Sequence, residues 1–182
     1  IALGSQGISL RDMVRGYGVF MTGGTRLDPY LVEKISNSRG DVLYERPDYD
    51  PSRVYNRRDA ETMVAMMEQV ITDGTGKRAR LDGWQVAGKT GTSQESRDAW
   101  FIGFSALRVG GVWVGNDDDS PMARVTGGGL PASLWHDMMV IAHENLEPEA
   151  LAGAGSLVTL SPQTRRRIAF YRDVGAAFSA TQ

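Results

Sequence analysis

One ten-residue string, Gly83 to Thr92, carries two overlapping patterns of residues that could do chemistry. Gly83 to Thr90 satisfies G-x-x-x-x-G-K-[ST], in which loop N–H groups and a lysine hold the phosphates of a nucleotide. That function requires a buried strand before Gly83 and a helix that begins at Thr90. The preceding residues 77–82 are KRARLD, which is not an apolar strand, and the following Gly-Thr-Ser is a poor helix start. The surroundings therefore disfavour a nucleotide site, which stays an alternative.

The second pattern is Lys89-Thr90-Gly91-Thr92, a K-T-G motif of the kind that serine acyl-transferring enzymes carry on a strand. Neighbouring side chains on a strand alternate between its faces. Lys89 can thus place a cation behind a reacting centre, while Thr90 and Thr92 offer hydroxyls to a carboxylate. Gly91 lets another element approach the strand closely, because it has no side chain. An exposed edge strand with a solvated lysine is the alternative on these four residues alone.

Three apolar runs predict the strands that must position this motif: Trp84–Thr92, Ala99–Ser105 and Arg108–Val114. The connections between them are too short for crossover helices, so the strands should be consecutive and antiparallel. The predicted fold class is α/β, a partial antiparallel sheet flanked by helices.

Helical spacing and capping residues predict the elements around the sheet. Ser9 and Asn56 each precede an amphipathic stretch as N-caps, and glycines end both stretches. Pro131 lies in the first turn of a third helix. The predicted elements are helices from 10 to the glycine pair at 23–24, from 57 to 72 and from 131 to about 144, and a hairpin of Tyr30–Ser36 with Val42–Glu45.

Composition narrows the functional classes. The chain has 182 residues, 20 Lys and Arg against 22 Asp and Glu, and a net charge of −2, which argues against nucleic-acid binding. It has no cysteine, which excludes disulfides, thiolate zinc sites and a cysteine nucleophile. His136 and His143 lack a third ligand, so we predict hydrogen-bonded or exposed histidines, no metal and no cofactor. No apolar run approaches the length of a membrane span.

The two ends of the chain are expected to differ from the middle. The sequence begins with Ile1 and has no signal peptide, so we expect a piece of a longer chain. After Glu147-Pro148 the composition shifts to Ala, Gly and Ser. We therefore predict one domain portion over residues 1–145 and a partly ordered extension over 146–182, outside the core. Ser161-Pro162 is expected to start a short helix that contains Arg165 to Arg167.

Six strings, in their order and spacing, resemble the C-terminal half of the transpeptidase domain of class A, bifunctional penicillin-binding proteins. The resemblance covers residues 1 to about 138. The strings are ALGS, SLRDM and GG within 2–24, GTG at 74–76, AGKTGTS at 87–93, RDAWFIGF at 97–104, GVWVGND at 111–117, and TGGGLPA with Trp135 at 126–135.

The resemblance implies a β-lactamase-like fold and a serine D,D-transpeptidase. Such enzymes attack the D-Ala-D-Ala end of peptidoglycan stem peptides, transfer the acyl group to an amine, and are acylated by β-lactam antibiotics. By the same resemblance, Lys89 orients the serine of a second motif, and the Thr92 N–H completes the oxyanion hole. Thr90, Gly91, Thr92 and Ser93 then bind substrate. The implied location is periplasmic or extracytoplasmic, with a membrane anchor only outside this chain.

The sequence departs from the family pattern in one large respect. It contains neither S-x-x-K, the nucleophile motif, nor S-x-N, the second motif. Both precede K-T-G in the family. We therefore expect this chain to require the remaining N-terminal part of the same enzyme as its partner, and to be inactive alone. The other hypothesis is a noncatalytic module that binds peptidoglycan or a partner protein.

Overall fold

Local capping determines where the first two helices begin. In a computed structural model that describes residues 7–49 and 51–155, α1 spans Leu10–Met21 and α2 spans Arg57–Thr72. The Ser9 side chain accepts from the Asp12 N–H, and the Asn56 side chain accepts from the Arg58 N–H. Each cap satisfies one N–H that has no partner within its helix. Both predicted N-caps are confirmed.

The K-T-G string lies on the first strand of a three-stranded antiparallel sheet. The order is β3-β4-β5, with β3 at Ala87–Thr92, β4 at Asp98–Phe104 and β5 at Val109–Gly115. Short 3₁₀ turns occupy Lys77–Ala79 and Gln94–Ser96. The predicted consecutive antiparallel strands are confirmed, with the second and third displaced by one residue.

The predicted strand start at Trp84 is wrong, because β3 begins three residues later. Ala87 pairs with Phe104, and the next residue of the partner, Ser105, already belongs to the turn toward β5. Among the described residues, no strand therefore lies beside Trp84 to Val86. Trp84 instead follows a turn closed by its N–H and the Leu81 carbonyl, and its ring packs against His143.

Helices cover both faces of the sheet. On one face, Leu10 and Val14 of α1 approach so closely that a side chain at Gly111 would press against both. On the other face lies α3, which spans Leu130–Ala142. Its Trp135 is fully buried against Phe101 and donates from Nε1 to the Gly110 carbonyl. The predicted α/β fold, an antiparallel sheet flanked by helices, is therefore confirmed. Helix α3 ends two residues earlier than expected.

The second helix packs beside β3 and joins the two faces. Val64 and Met67 contact a core cluster with Ala87 and Phe104, and Ile71 contributes to a second cluster with Phe101. Apolar burial of this kind contributes about 25 cal/mol per Å² and is the main stabilising term. The start of the K-T-G strand is therefore fixed between a helix and its neighbouring strand.

The predicted hairpin exists but is shorter and lies outside the core. Its strands are β1, Lys34–Ser36, and β2, Val42–Glu45, and every residue in both is exposed. Tyr30 to Glu33 do not belong to the strand. Among the described residues, no helix combines the length and the apolar character that crossing a bilayer requires.

The start of the predicted C-terminal extension is part of the core. Leu151 is buried, packs in the cluster with Val64 and Met67, and donates its N–H to the Gln85 side chain. The expectation that residues after 146 lie outside the core is therefore wrong for this stretch. The expected helix at 161–167 and the ALGS string at 2–5 lie outside the described residues. The boundary at 145–146 stays a prediction.

Candidate active site at the K-T-G strand

Strand β3 forms one edge of the sheet as described, and its pairing divides the candidate residues between two faces. Lys89 and Gly91 pair with Ile102 and Trp100 on the face that α1 covers. Thr90 and Thr92 alternate with them and belong to the opposite face. The motif therefore presents a cation to one side of the edge strand and two hydroxyls to the other.

The backbone of the two threonines points away from β4. Ser93 donates its N–H to the Asp98 carbonyl, so the backbone of Ser93 is directed toward β4. In an antiparallel ladder, residues directed toward the partner strand alternate with residues whose N–H and C=O groups point outward. The Thr92 N–H and the Thr90 carbonyl are therefore directed toward the outer edge of β3.

Lys89 lies against this outward-facing backbone. Its Nζ donates to the Thr90 carbonyl over 2.7 Å. The side chain keeps access to solvent, yet surrounding protein removes part of its hydration and lowers the pKa of the ammonium. Lost hydration disfavours the charged form of a lysine. Lys89 is thus a cation whose proton is held less tightly than that of a solvated lysine.

Both threonine hydroxyls have polar neighbours contributed by distant parts of the chain. Thr90 Oγ1 lies 2.7 Å from Thr75 Oγ1, in the turn that follows α2. Thr92 Oγ1 accepts the Gly127 N–H over 3.1 Å. Sequence reasoning assigned no role to Thr75 or Gly127. The only signal was their place in the GTG and TGGGLPA strings.

A glycine loop at 127–129, directly before α3, packs onto the motif. A Cβ atom at Gly127 would overlap the carbonyl oxygens of Gly91 and Trp100, and one at Gly128 would overlap the Thr75 carbonyl. Only glycine permits backbone to approach backbone this closely. A Cβ at Gly91 itself would meet only the Trp100 side chain, so the expected role of Gly91 in admitting another element stays a prediction.

Ser93 has a local structural role in this arrangement. Its Oγ accepts the Asp98 N–H over 2.7 Å, which closes the connection between β3 and β4. The side chain is exposed. It lies at the end of the motif, and its hydroxyl donates to the Asp98 carbonyl over a long distance of 3.5 Å.

A cavity of about 800 Å³ borders the Lys89 side of the strand. It is lined by α1 and by all three strands of the sheet. The tryptophans Trp100 and Trp113 contribute apolar surface, and Trp113 Nε1 donates to the Asp98 carboxylate over 2.8 Å. Apolar walls with a few placed polar groups are typical of ligand sites. The lining residues include Leu10, Met13, Tyr17, Lys89, Trp100 and Trp113.

The structure also bears on two other kinds of site, a phosphate loop at Gly83 to Thr90 and a metal site at the histidines. Thr90 lies inside β3 rather than at the start of a helix, so the phosphate-loop hypothesis for Gly83 to Thr90 is wrong. Within the described residues, no group of three or more His, Cys, Asp or Glu side chains converges to hold a metal. His136 Nδ1 bonds to the Arg80 carbonyl, and His143 is buried and hydrogen-bonded, as predicted for both.

Comparison with known proteins places this geometry in a family. A family described as "Penicillin binding protein transpeptidase domain" matches residues 1–114, which is more than half of the chain. The chain belongs to the penicillin-binding protein transpeptidase family. The resemblance inferred from the six strings is thereby confirmed.

Curated relatives of this penicillin-binding transpeptidase chain carry the same family name. Penicillin-binding protein 1A of Aquifex aeolicus is 34% identical over 143 residues, which are 78% of this chain and 19% of that protein. Penicillin-binding protein 1A of Pseudomonas aeruginosa is 28% identical and covers 93% of this chain. The chain spans 19% and 27% of the length of these two relatives.

Solved structures agree with the fold of this transpeptidase segment. The penicillin-binding protein PonA1 of Mycobacterium tuberculosis matches with a TM-score of 0.71 and 27% identity, over 78% of this chain and 40% of that chain. PonA1 has also been solved in complex with penicillin V. Penicillin-binding protein 1A of Haemophilus influenzae, 23% identical, supports the fold alone with a TM-score of 0.68, over 83% of this chain and 29% of that chain.

Proposed function

We propose that this chain supplies the K-T-G strand of a serine D,D-transpeptidase that crosslinks peptidoglycan stem peptides and is acylated by β-lactams. The S-x-x-K and S-x-N motifs are contributed by sequence outside these residues. The observation that carries the proposal is the arrangement of β3, where a partly desolvated Lys89, two threonine hydroxyls and an outward N–H share one edge. The complex of PonA1 with penicillin V supports β-lactam binding by this part of the family.

Lys89 stabilises negative charge and orients the serine of the second motif. Its ammonium lies where the cavity meets the outer edge of β3, so a group placed there experiences a full positive charge. Charge that is fixed in place before the reaction lowers the barrier, because no reorganisation is required.

Thr92 contributes its backbone N–H to the oxyanion hole. The N–H is directed outward by the pairing of β3 with β4. The other donor comes from the nucleophile, outside this chain. Removing one such donor costs about 100- to 1,000-fold in rate in serine hydrolases.

Thr90 and Thr92 bind the substrate carboxylate through their hydroxyls. Gly91 lies between them and adds no side chain to this part of the site. Ser93 extends the same edge. A hydroxyl bonded to an ionised carboxylate forms a charge-assisted hydrogen bond, which is stronger than a neutral one. The proposed place of action is the extracytoplasmic face of the bacterial inner membrane, with anchoring provided by sequence outside this chain.

Labelling with a fluorescent penicillin tests the proposal. The complete protein that contains this chain should be labelled at its S-x-x-K serine, while residues 1–182 alone should not, because an unactivated hydroxyl is a weak nucleophile. Lys89→Ala in the complete protein should reduce the acylation rate by about 100- to 1,000-fold. Lys77→Ala, which removes an exposed lysine from the 3₁₀ turn, is the matched control.

Two results would contradict the assignment. Equal acylation rates for wild type and Lys89→Ala would remove β3 from the reacting centre. A complete native protein that lacks S-x-x-K and S-x-N and never becomes labelled would favour the noncatalytic module that binds peptidoglycan or a partner protein.

A further inference from the structure

Each threonine hydroxyl of the motif is contacted by a polar group from another part of the chain. Thr75 Oγ1 lies 2.7 Å from Thr90 Oγ1, and Gly127 donates its N–H to Thr92 Oγ1. A threonine hydroxyl has one hydrogen to donate and two lone pairs to accept with. The neighbours therefore decide in which direction each hydrogen can be donated.

The direction at Thr92 follows from the chemistry of its neighbour. A backbone N–H only donates, so Gly127 occupies a lone pair of Thr92 Oγ1 and leaves the hydroxyl hydrogen for another acceptor. At Thr90 either oxygen can donate while no ligand is bound. An anion that takes the Thr90 hydrogen requires Thr75 to donate into Thr90 from behind.

We propose that Thr75 is a positioning residue that turns the Thr90 hydroxyl hydrogen toward the carboxylate of the substrate or the β-lactam. The inference rests on the proposed function, in which Thr90 and Thr92 bind that carboxylate. Thr75 then donates to the hydroxyl oxygen of Thr90, as the Gly127 N–H donates to the hydroxyl oxygen of Thr92. With both in place, two hydroxyl hydrogens are available to one anion.

The glycine loop at 127–129 fixes both of these groups. Gly128 packs directly on the Thr75 carbonyl, and Gly127 packs on the Gly91 carbonyl of β3. The loop therefore holds the turn after α2 and the motif strand in register with each other. A rigid second layer of this kind keeps donors aligned before a ligand arrives.

Thr75→Val in the complete protein removes the hydroxyl and keeps the branched shape. Acylation rate constants should be measured with a penicillin that has a free carboxylate and with its carboxylate methyl ester. For the free acid, we expect a loss of about 3- to 10-fold, the scale of one hydrogen bond. The ester, which carries no anion, should change by less than about 2-fold, which is below the effect of one whole hydrogen bond.

Two further variants separate positioning from a structural effect. Thr75→Ser should restore the wild-type rate with the free acid, because it restores the donor. Thr72→Val is the matched control: it removes a hydroxyl at the end of α2 that bonds to the Asp73 carboxylate. It should leave both rates unchanged. In a Thr90→Val background, Thr75→Val should have no further effect on the free acid.

The outcomes distinguish this inference from the function it rests on. If the wild-type protein is labelled and Thr75→Val acts equally on acid and ester, or still acts when Thr90 is Val, the positioning role is overturned and the transpeptidase proposal stands. If Thr75→Val leaves the free-acid rate unchanged, the positioning role is likewise overturned. If the complete wild-type protein is never acylated, both proposals fail together.

Discussion

Ser105 Oγ lies 2.8 Å from His143 Nε2, and both side chains are buried. His143 Nδ1 bonds to the Met139 carbonyl, which only accepts, so the ring hydrogen lies on Nδ1 and Nε2 accepts from Ser105. The serine oxygen in turn accepts the N–H groups of Leu107 and Arg108. One hydroxyl thus ties the turn between β4 and β5 to the end of α3.

Ser105→Ala should destabilise the protein by about 1–3 kcal/mol, because it leaves a buried ring nitrogen and two N–H groups without their partner. Thermal unfolding measured by calorimetry should show the lower midpoint. Ser133→Ala, at a half-buried serine of α3, is the control and should change the midpoint little. Equal midpoints for wild type and Ser105→Ala would show that the network contributes nothing net.

The lowered pKa of Lys89 predicts the alkaline side of the pH profile. Acylation that needs the ammonium should decline as pH rises through a pKa below the usual range of lysine. Lys89→Arg keeps a charge that does not titrate, so its lower rate should persist to higher pH. The measurement is the acylation rate against pH for both proteins. A decline at the same pH in both would assign it to another group.

The same pKa predicts a small effect on stability, with a definite sign. Burial disfavours the charged lysine in the folded state, so at neutral pH this group contributes a penalty to folding. The penalty is relieved as pH rises from the lowered folded-state pKa toward the unfolded-state pKa. Lys89→Met should remove that pH dependence, as measured by unfolding midpoints across the alkaline range.

Thr92→Val should weaken acylation less than Lys89→Ala does. The substitution removes one hydroxyl but keeps the backbone N–H that faces the outer edge of β3. A single hydrogen bond to a charged group is worth about 1.5–3 kcal/mol, which corresponds to roughly 10- to 150-fold. Thr92→Ser retains the hydroxyl and should recover most of the rate. A larger loss for Thr92→Val than for Lys89→Ala would reverse the proposed roles.

Leu151→Ala tests whether the chain beyond 146 contributes to the core. Truncating a buried leucine typically costs about 2–5 kcal/mol, through lost burial and the cavity that remains. Leu130→Ala, at a leucine that is 47% exposed, is the matched control. Unfolding midpoints should fall clearly for the first and little for the second. Equally small effects of both substitutions would show that the chain beyond 146 does not contribute to the core.

The sequence predicted the features that depend on neighbours within the chain. The N-caps at Ser9 and Asn56 form because capping joins residues two or three positions apart. The start of β3 was misplaced, because a strand extends only as far as its partner, and apolar Trp84 and Val86 give no information on where β4 ends. The local sequence pattern therefore did not contain the information on which residues of β3 pair with β4.

In the candidate site, too, the local features could be predicted from the sequence and the long-range contacts could not. The alternation of Lys89 with Thr90 and Thr92 is a property of any strand, so it was available from the sequence. The contacts of Thr75 with Thr90 and of Gly127 with Thr92 span 15 and 35 residues. They arise from the packing of two turns on one strand, and no spacing rule predicts them.

The outermost strand β5 has a consequence for handling the protein. Its seven residues, VGGVWVG, contain no charge and no proline, and β5 is the last strand of the sheet as described. Uncharged β-forming segments at an open edge are templates for pairing with other chains. When produced in isolation, this chain should therefore self-associate as its concentration rises. Val114→Lys, at a half-buried position of β5 that belongs to neither core cluster, should keep it monodisperse.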